Sequence, residues 1–531
     1  MLTPLDLTVL ALYAAGVVAF GLYAGGRQRS ATDYFLGGRD LPWWAVCFSI
    51  VATETSTLTV IGVPAIAYGG ALTFLQLALG YLIGRVVVAV WLLPRYARGE
   101  METAYAFLGS RFGDGLRGLA AVTFLATRLL ADGVRLFATA IPIRVIALAA
   151  GYDLGYPLII ATIGVVTAAY TYVGGLRAVV WMDVAQMLVY VGGALWALVL
   201  LAPSLAGAWP AAVAEGKTAL VDTGAGRSLS VWLTSPYVLP VALLGGALFS
   251  MASHGADQLV VQRVLACRSL SESRLALVGS GVGVMAQFAL FLAVGLGLWA
   301  FYGGQTPAEL GLARGDEVFP LFILQEMPSG VRGLLLAGIL AAAMSTLSSS
   351  LNALAGSTLH DLVERVRGRA PSPEASLRLS RALTLVWAGV FVGFAMLFEG
   401  TDHPVVELGL GIAGFTYGGL LGAFVLGLAS RRATQADAAI AFVVTIAAMT
   451  ALIFGLHYST TAGAWTFAWR PDVAARAAGG LLPVAWPLYP LIGTVLMTAL
   501  GTLLALRHRP RDPRPEPAAE AARPYPPVPR P

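Results

Sequence analysis

Thirteen times between Leu7 and Leu506 the chain enters an apolar run of about 20 residues, long enough as a helix to cross the ~30 Å hydrocarbon core of a bilayer. Little else can be built from such a sequence. No water reaches the backbone inside hydrocarbon, so a spanning segment must be a helix or a strand of a closed barrel. Runs such as VTFLATRLLADGVRLFATAIPI lack the strict alternation that a barrel strand needs. Of the 531 residues, 57% are hydrophobic and 12% charged, and the mean hydropathy is +0.76, too apolar for a set of soluble domains. The expected fold class is all-α and polytopic, with spans beginning near Leu7, Trp43, Leu72, Leu119, Pro157, Val184, Val238, Leu277, Leu334, Ala382, Val405, Ala438 and Leu482.

Loop charge supplies a separate test, because positive residues are retained on the cytoplasmic side during insertion. Alternate connections carry Arg27, Arg29 and Arg39; Arg95, Arg98, Arg111 and Arg117; Arg177; Arg268 and Arg274; Arg365, Arg367, Arg369, Arg378 and Arg381; and Arg431 and Arg432. The connections between them are nearly bare. One missed or invented span would break this alternation midway, so it supports the count and places the N-terminus outside and the C-terminus inside a cytoplasmic membrane. The formal charge of +5 is explained by these loops and calls for no nucleic-acid partner. The first run, Leu7 to Tyr23, has no basic residue before it and no small-residue cleavage site, and reads as a retained span. Residues 508–531, rich in Pro, Arg, Ala and Glu, are expected to form a disordered cytoplasmic tail, and Trp465 to Gly480 an external loop with a short surface helix. The two cysteines, Cys47 and Cys267, have no CxxC or histidine spacing nearby, so neither a disulfide nor a zinc site is expected.

Polar groups inside the spans carry the functional signal. The second span, SIVATETSTLTVIGVPAIAY, holds Glu54, several hydroxyls, Gly62 and Pro64. A broken helix there would expose carbonyls and amides at mid-membrane, where they can strip water from a cation or hold a solute; a kinked helix with back-bonded hydroxyls is the alternative. The seventh span, GALFSMASHGADQLVVQRVLAC, is interrupted by Ser250, Ser253, His254, Gly255 and Asp257 and follows five spans later. Five is odd, so equivalent helices would run in opposite senses, as in inverted-repeat transporters. In the ninth span Ala342, Ser345 and Thr346 share one face, and Ser345, Ser348 and Ser349 repeat that spacing one turn on. Small residues permit close packing, and hydroxyls are hard ligands for a hard cation; the sequence leaves both readings open. In the fourth span Arg128, Asp132 and Arg135 lie on one face; each costs roughly 2.5–3.5 kcal/mol near a bilayer centre, so they must face inward and pair. Either the three fix helix packing or one guanidinium stays available for a substrate carboxylate, and Glu54 is a second candidate to neutralise the surplus arginine.

Taken together, DYFLGGRDLPWW, GGLRAVVWMDVAQ (Gly174 to Gln186), DQLVVQRVLACRS (Asp257 to Ser269) and LAGILAAAMSTLSSSLNA (Leu336 to Ala353) resemble the sodium:solute symporter family over roughly Asp33 to Arg432. The resemblance implies a five-plus-five inverted-repeat, LeuT-like core with one leading and two trailing helices. Its expected divisions are residues 1–30, a first repeat at 31–200, a second at 201–435, and trailing spans at 436–507. It implies a sodium site from the carbonyls of Ala52, Thr55 and Ala342 and the hydroxyls of Ser345 and Thr346. A second site from Asp183, Ser345, Ser348 and Ser349 would give two sodium ions per cycle, although Asp183 can also be read as a helix-end partner of Arg177. Substrate positions fall on Glu54, Ser56, Thr59, Gln76, Arg135, His254 and Tyr417. Glu54 departs from the sugar and proline members, and Arg135 points to an organic anion or zwitterion.

The expected function is therefore sodium-coupled symport of a small organic solute by alternating access, with sodium as coupling ion, no cofactor and no other metal. A proton-coupled symporter and a transporter-like substrate sensor are the alternative readings. An intramembrane enzyme would need a compact nucleophile or metal-ligand set, whereas these polar groups are spread over facing spans, and no GxxxxGK[ST] loop points to ATP hydrolysis. The partners expected are solute, sodium and lipid; the sequence sets no oligomeric state and is compatible with a monomer.

Overall fold

Each of the thirteen apolar stretches is helical in the computed structural model, which describes residues 3–25, 28–98, 101–149, 151–312, 314–368, 371–397, 405–469, 471 and 473–509. The tail expected at 508–531 lies almost wholly outside the described residues. Helices begin where side chains can satisfy orphan amides: Thr3 and Asp6 form a capping box at Pro4–Ala24, Thr434 and Asp437 form another at Gln435–Gly455, and Ser269 caps Leu270–Phe301.

The fifth and sixth spans form one helical run, Tyr156–Ala214, whose direction changes at Gly175 (φ 53°, ψ −152°). Packing against the first span, Pro4–Ala24, fixes the sense of the change. Tyr170 sits beside Gly21 and Gly174 beside Gly25, and Gln186 then meets Tyr13 at 3.4 Å, so the chain has turned back along its neighbour. A Cβ on Gly175 would lie 2.4 Å from the Tyr34 carbonyl oxygen, and its backbone angles are open only to glycine.

The two spans with polar interruptions are both broken. The second is Trp43–Glu54 followed by Thr57–Gly69, bent by 64°. The seventh is Leu239–Met251, a π-helical turn Ala252–Ala256, extended backbone at Asp257, and then Gln258–Val264 capped by the Asp257 carboxylate, which accepts from the Leu259 amide at 2.9 Å. Around them pack the third span, Phe74–Trp91, and the ninth, Val331–Ser357. The ninth is the axis of the molecule: every residue from Ala341 to Ser357 is buried, whereas only 17% of the residues of Pro4–Gly21 are, and that helix faces outward. That burial requires small residues, and GILAAAMSTLSSSLNALAGS supplies them.

One departure from an all-helical chain lies between the twelfth and thirteenth spans. Leu456–Ser459 pairs antiparallel with both Ala464–Phe467 and Leu481–Pro483. The loop expected at Trp465 to Gly480 thus contributes a strand as well as the short helix Val473–Gly479. Tyr458 and Trp465 face each other across the pair, the kind of aromatic cross-strand contact that holds a small sheet together.

Candidate functional site

The break in the second span is built by hydrogen bonds that the helix gives up. In a continuous helix the Ala52 carbonyl would accept from the Ser56 amide and the Thr55 carbonyl from the Thr59 amide. Instead Ser56 N donates to Thr59 Oγ1 (3.3 Å) and Thr59 N to the Ser56 carbonyl (2.9 Å). Both carbonyls singled out in the sequence are therefore released from their regular partners. The ninth span lies against this break: Thr53 and Ser349 hydroxyls are 3.2 Å apart on one side, and Thr57 Oγ1 donates to the Ile339 carbonyl (3.2 Å) on the other. Between those contacts lie Ala342, Ser345 and Thr346, all buried, with Thr346 Oγ1 on the Ala342 carbonyl (3.2 Å).

Beside it, Asp183 is fully buried and accepts from Ser49 Oγ and Ser345 Oγ, each at 2.6 Å. Arg263, just beyond the break of the seventh span, reaches Asp183 (3.4 Å), Ser49 Oγ (3.0 Å), the Leu259 carbonyl (2.6 Å) and Ser349 Oγ. Ser348 and Ser349 hydroxyls both donate to the Ser345 carbonyl. This removes the reading of Asp183 as a partner of Arg177: it is a core group joining the second, sixth, seventh and ninth spans.

A second charged group sits between the two breaks. Glu54, with 20% of its side chain exposed, pairs with Arg85, which is fully buried and also donates to Ser280 Oγ (2.6 Å). His254 Nε2 lies 3.1 Å from the other Glu54 oxygen, and its Nδ1 lies 2.8 Å from Ser253 Oγ and 3.1 Å from the Ser250 carbonyl. Glu54 does not reach the arginines of the fourth span, which overturns its reading as their neutralising partner.

The fourth span, Asp114–Ala149, carries the third group. Arg128 pairs with Asp257 and donates to Tyr417 Oη (2.6 Å); Asp132 accepts from Ser350 and lies 2.9 Å from Arg135. Arg128 is thus locked in place, while Arg135 spends one nitrogen on Asp132 and keeps 26% of its side chain exposed. One turn on, Thr139 Oγ1 donates to Thr57 Oγ1 (3.1 Å), which sets Arg135 at the level of the broken span.

Not every expected residue joins these groups. Gln76 is buried, but its amide donates to the Tyr237 carbonyl (2.7 Å) and accepts from the Asp222 amide (3.3 Å), so it is held by the 217–238 connection instead. Two central residues were missed in the sequence. Arg85 is the lone charge in FLQLALGYLIGRVVVAVW, a sufficient signal in itself, and Arg263 lies within a motif already noted but had no role attached.

Relatives among known proteins share most of this chain. It is 29% identical over 460 residues to the sodium/sialic acid symporter SiaT of Proteus mirabilis, covering 85% of this chain and 90% of that protein. It is 31% identical over 433 residues to the human sodium/iodide cotransporter, covering 80% and 65%, and 30% identical over 426 residues to human sodium-coupled monocarboxylate transporter 1, covering 78% and 67%. The substrate-bound, outward-open structure of a Na+-coupled sialic acid symporter superposes with a TM-score of 0.79 at 26% identity, covering 96% of this chain and 99% of that one. The LeuT-like fold implied by the family resemblance is the fold observed. The sodium:solute symporter family model matches residues 34–445, a stretch that contains both breaks and all three buried charge groups, and the chain belongs to that family.

Proposed function

We infer that this chain is a sodium-coupled symporter for a small organic solute, with sodium held where the broken second span meets the ninth. The observation that carries the reading is the diversion of the Ser56 and Thr59 amides, which releases the Ala52 and Thr55 carbonyls from their regular helical partners opposite Ala342, Ser345 and Thr346; the Ala52 carbonyl takes the Thr55 amide instead (3.2 Å) and keeps its second lone pair. Carbonyl and hydroxyl oxygens replace the hydration shell of a hard cation, and unwound backbone at mid-membrane is tolerated where it lines such a site. A second sodium at Asp183, Ser345, Ser348 and Ser349 would share its carboxylate with Arg263. That site would be weaker than the first until the guanidinium moves aside, because the two cations compete for one anion.

The solute we propose is an organic anion or zwitterion whose carboxylate meets Arg135, with Ser56, Thr59, His254 and Tyr417 lining the same region. The Glu54 carboxylate does not oppose an anion here, since Arg85 balances its charge. The sialic acid and monocarboxylate carriers among its relatives fit that class. Two breaks five spans apart support the inverted repeats at 31–200 and 201–435, and the basic loops support an N-terminus outside and a C-terminus inside the cytoplasmic membrane. Sodium entering down its gradient also gains about 2.3 kcal/mol per charge per 100 mV, so one ion can drive substantial accumulation.

The test is thermal stability of the purified protein in sodium, potassium or choline, for the wild type and Ser345→Ala/Thr346→Ala, followed by a carboxylate library in sodium. Sodium alone should raise the melting temperature of the wild type and not of the double variant. Indifference of well-folded wild type to sodium, alone and with every solute, would overturn the reading; uptake driven by a pH gradient without sodium would favour proton coupling through Glu54 and Asp183.

A further inference from the structure

Away from these groups, on the face that bears the basic loops, Glu102, His360 and Glu364 bring one imidazole nitrogen and two carboxylate oxygens within 4.8 Å of one another. They come from two separate segments: Glu102 precedes the helix Tyr105–Phe112, and His360 and Glu364 follow the ninth span, His360 within the π-helical turn Thr358–Val363 and Glu364 one turn on. His360 Nδ1 lies 2.9 Å from Glu102 Oε2 and 3.2 Å from Glu364 Oε2. A ring nitrogen carries one hydrogen, directed in the ring plane, and cannot serve two carboxylates well. Two carboxylates converging on one point also repel each other. A divalent ion at that point removes both difficulties: ligands about 2.1 Å from a transition metal at right angles lie about 3.0 Å apart, close to the spacing between the imidazole nitrogen and each carboxylate oxygen, and the two carboxylate oxygens lie within 4.8 Å of each other.

The surroundings are built as ligand supports are built. Thr32 Oγ1 donates to the second Glu102 oxygen (3.0 Å), orienting the carboxylate. The His360 ring is 5% exposed, stands edge-on to Phe35 at 5.6 Å, and has its carbonyl held by Arg117 (2.9 Å). The neighbouring Asp361 is taken by Arg117, Thr103 and Ser357 and is unavailable as a ligand. Glu102 and Glu364 keep 36% and 21% of their side chains exposed, which leaves an approach for the ion and coordination positions for water. Two cations on these segments are engaged elsewhere, Arg39 with the Met101 carbonyl and Arg117 with Asp361.

We propose that Glu102, His360 and Glu364 form a binding site for a divalent transition-metal ion, separate from the sodium and solute sites. An imidazole with two carboxylates suits zinc or manganese, whereas magnesium and calcium favour all-oxygen shells. A bound ion would tie the segment before Tyr105–Phe112 to the tail of the ninth span, and both would then move as one unit.

The test is calorimetric titration of the untagged full-length protein in detergent with zinc chloride, for wild type, Glu102→Gln and Glu364→Gln, with magnesium as control. Both variants alter partly exposed carboxylates, so folding should survive; a melting curve of each metal-free protein checks this. One zinc per chain, weakened at least tenfold in each variant and insensitive to magnesium, is the expected result. No zinc binding by the wild type, or binding unchanged in both variants, would overturn the proposal and leave the three residues as an ion triad around a protonated His360.

Discussion

Removing one member of the Glu54–Arg85–His254 group should hurt more than removing two. Arg85 is fully buried and has one carboxylate partner, so Glu54→Gln strands a guanidinium in the core with only Ser280 for company. Breaking a buried pair from one side costs about 3–5 kcal/mol, and this case should sit at the upper end. Arg85→Met should cost less, because Glu54 keeps His254 at 3.1 Å and has a fifth of its side chain exposed. The double variant Glu54→Gln/Arg85→Met removes both charges, leaving a coupling energy on the order of 2–3 kcal/mol in its favour. The assay is the melting temperature of detergent-purified protein for the four members of the cycle at one salt concentration. The expected order is wild type, double variant, Arg85→Met, Glu54→Gln. A double variant as unstable as the sum of the two singles would refute the argument, because it would mean that the two charges do not sense each other.

Four further outcomes follow from the same geometry. Arg135→Ala should leave the melting temperature within about 1–2 °C, as expected for a partly exposed side chain, and raise the KM for a transported carboxylate at least tenfold; an unchanged KM would remove Arg135 from substrate recognition. Asp183→Asn should lower the steepness of sodium activation in proteoliposome uptake, since it takes the anion from the second site while Ala52, Thr55 and Thr346 remain; an unaltered sodium dependence would confine Asp183 to structure. Gly175→Ala should abolish folded protein on size-exclusion chromatography, because backbone strain of about 1–3 kcal/mol is joined by the clash with Tyr34; a monodisperse variant would contradict the reversal described at that residue. Both cysteines are buried, so maleimide at pH 7 should label neither until the protein is unfolded; rapid labelling of the native protein would show that this region opens.

Length and polarity in the sequence alone determined that the chain spans a membrane as helices, because hydrocarbon admits few other backbones and a run of apolar residues is visible without a structure. The positions of the breaks were legible for the same reason: Glu54, Ser56, His254 and Asp257 are too costly in lipid unless the helix opens around something. The ninth span's hydroxyl face followed from helical periodicity. What the sequence could not supply was the pairing of charges. Arg128, Asp132 and Arg135 share a face by spacing, yet only packing sends Arg128 to Asp257 and Tyr417 and leaves Arg135 partly open. Glu54 had several arginines within reach in principle, and the third span decided in favour of Arg85; Asp183 could have sat at a helix end, and the sixth span turned it into the core beside Arg263. Partners separated by 80 to 289 residues, as Asp183 is from Arg263 and Arg128 from Tyr417, leave no periodic trace in either segment. Which carboxylate neutralises which guanidinium is set by helix contacts that exist only once the bundle has closed.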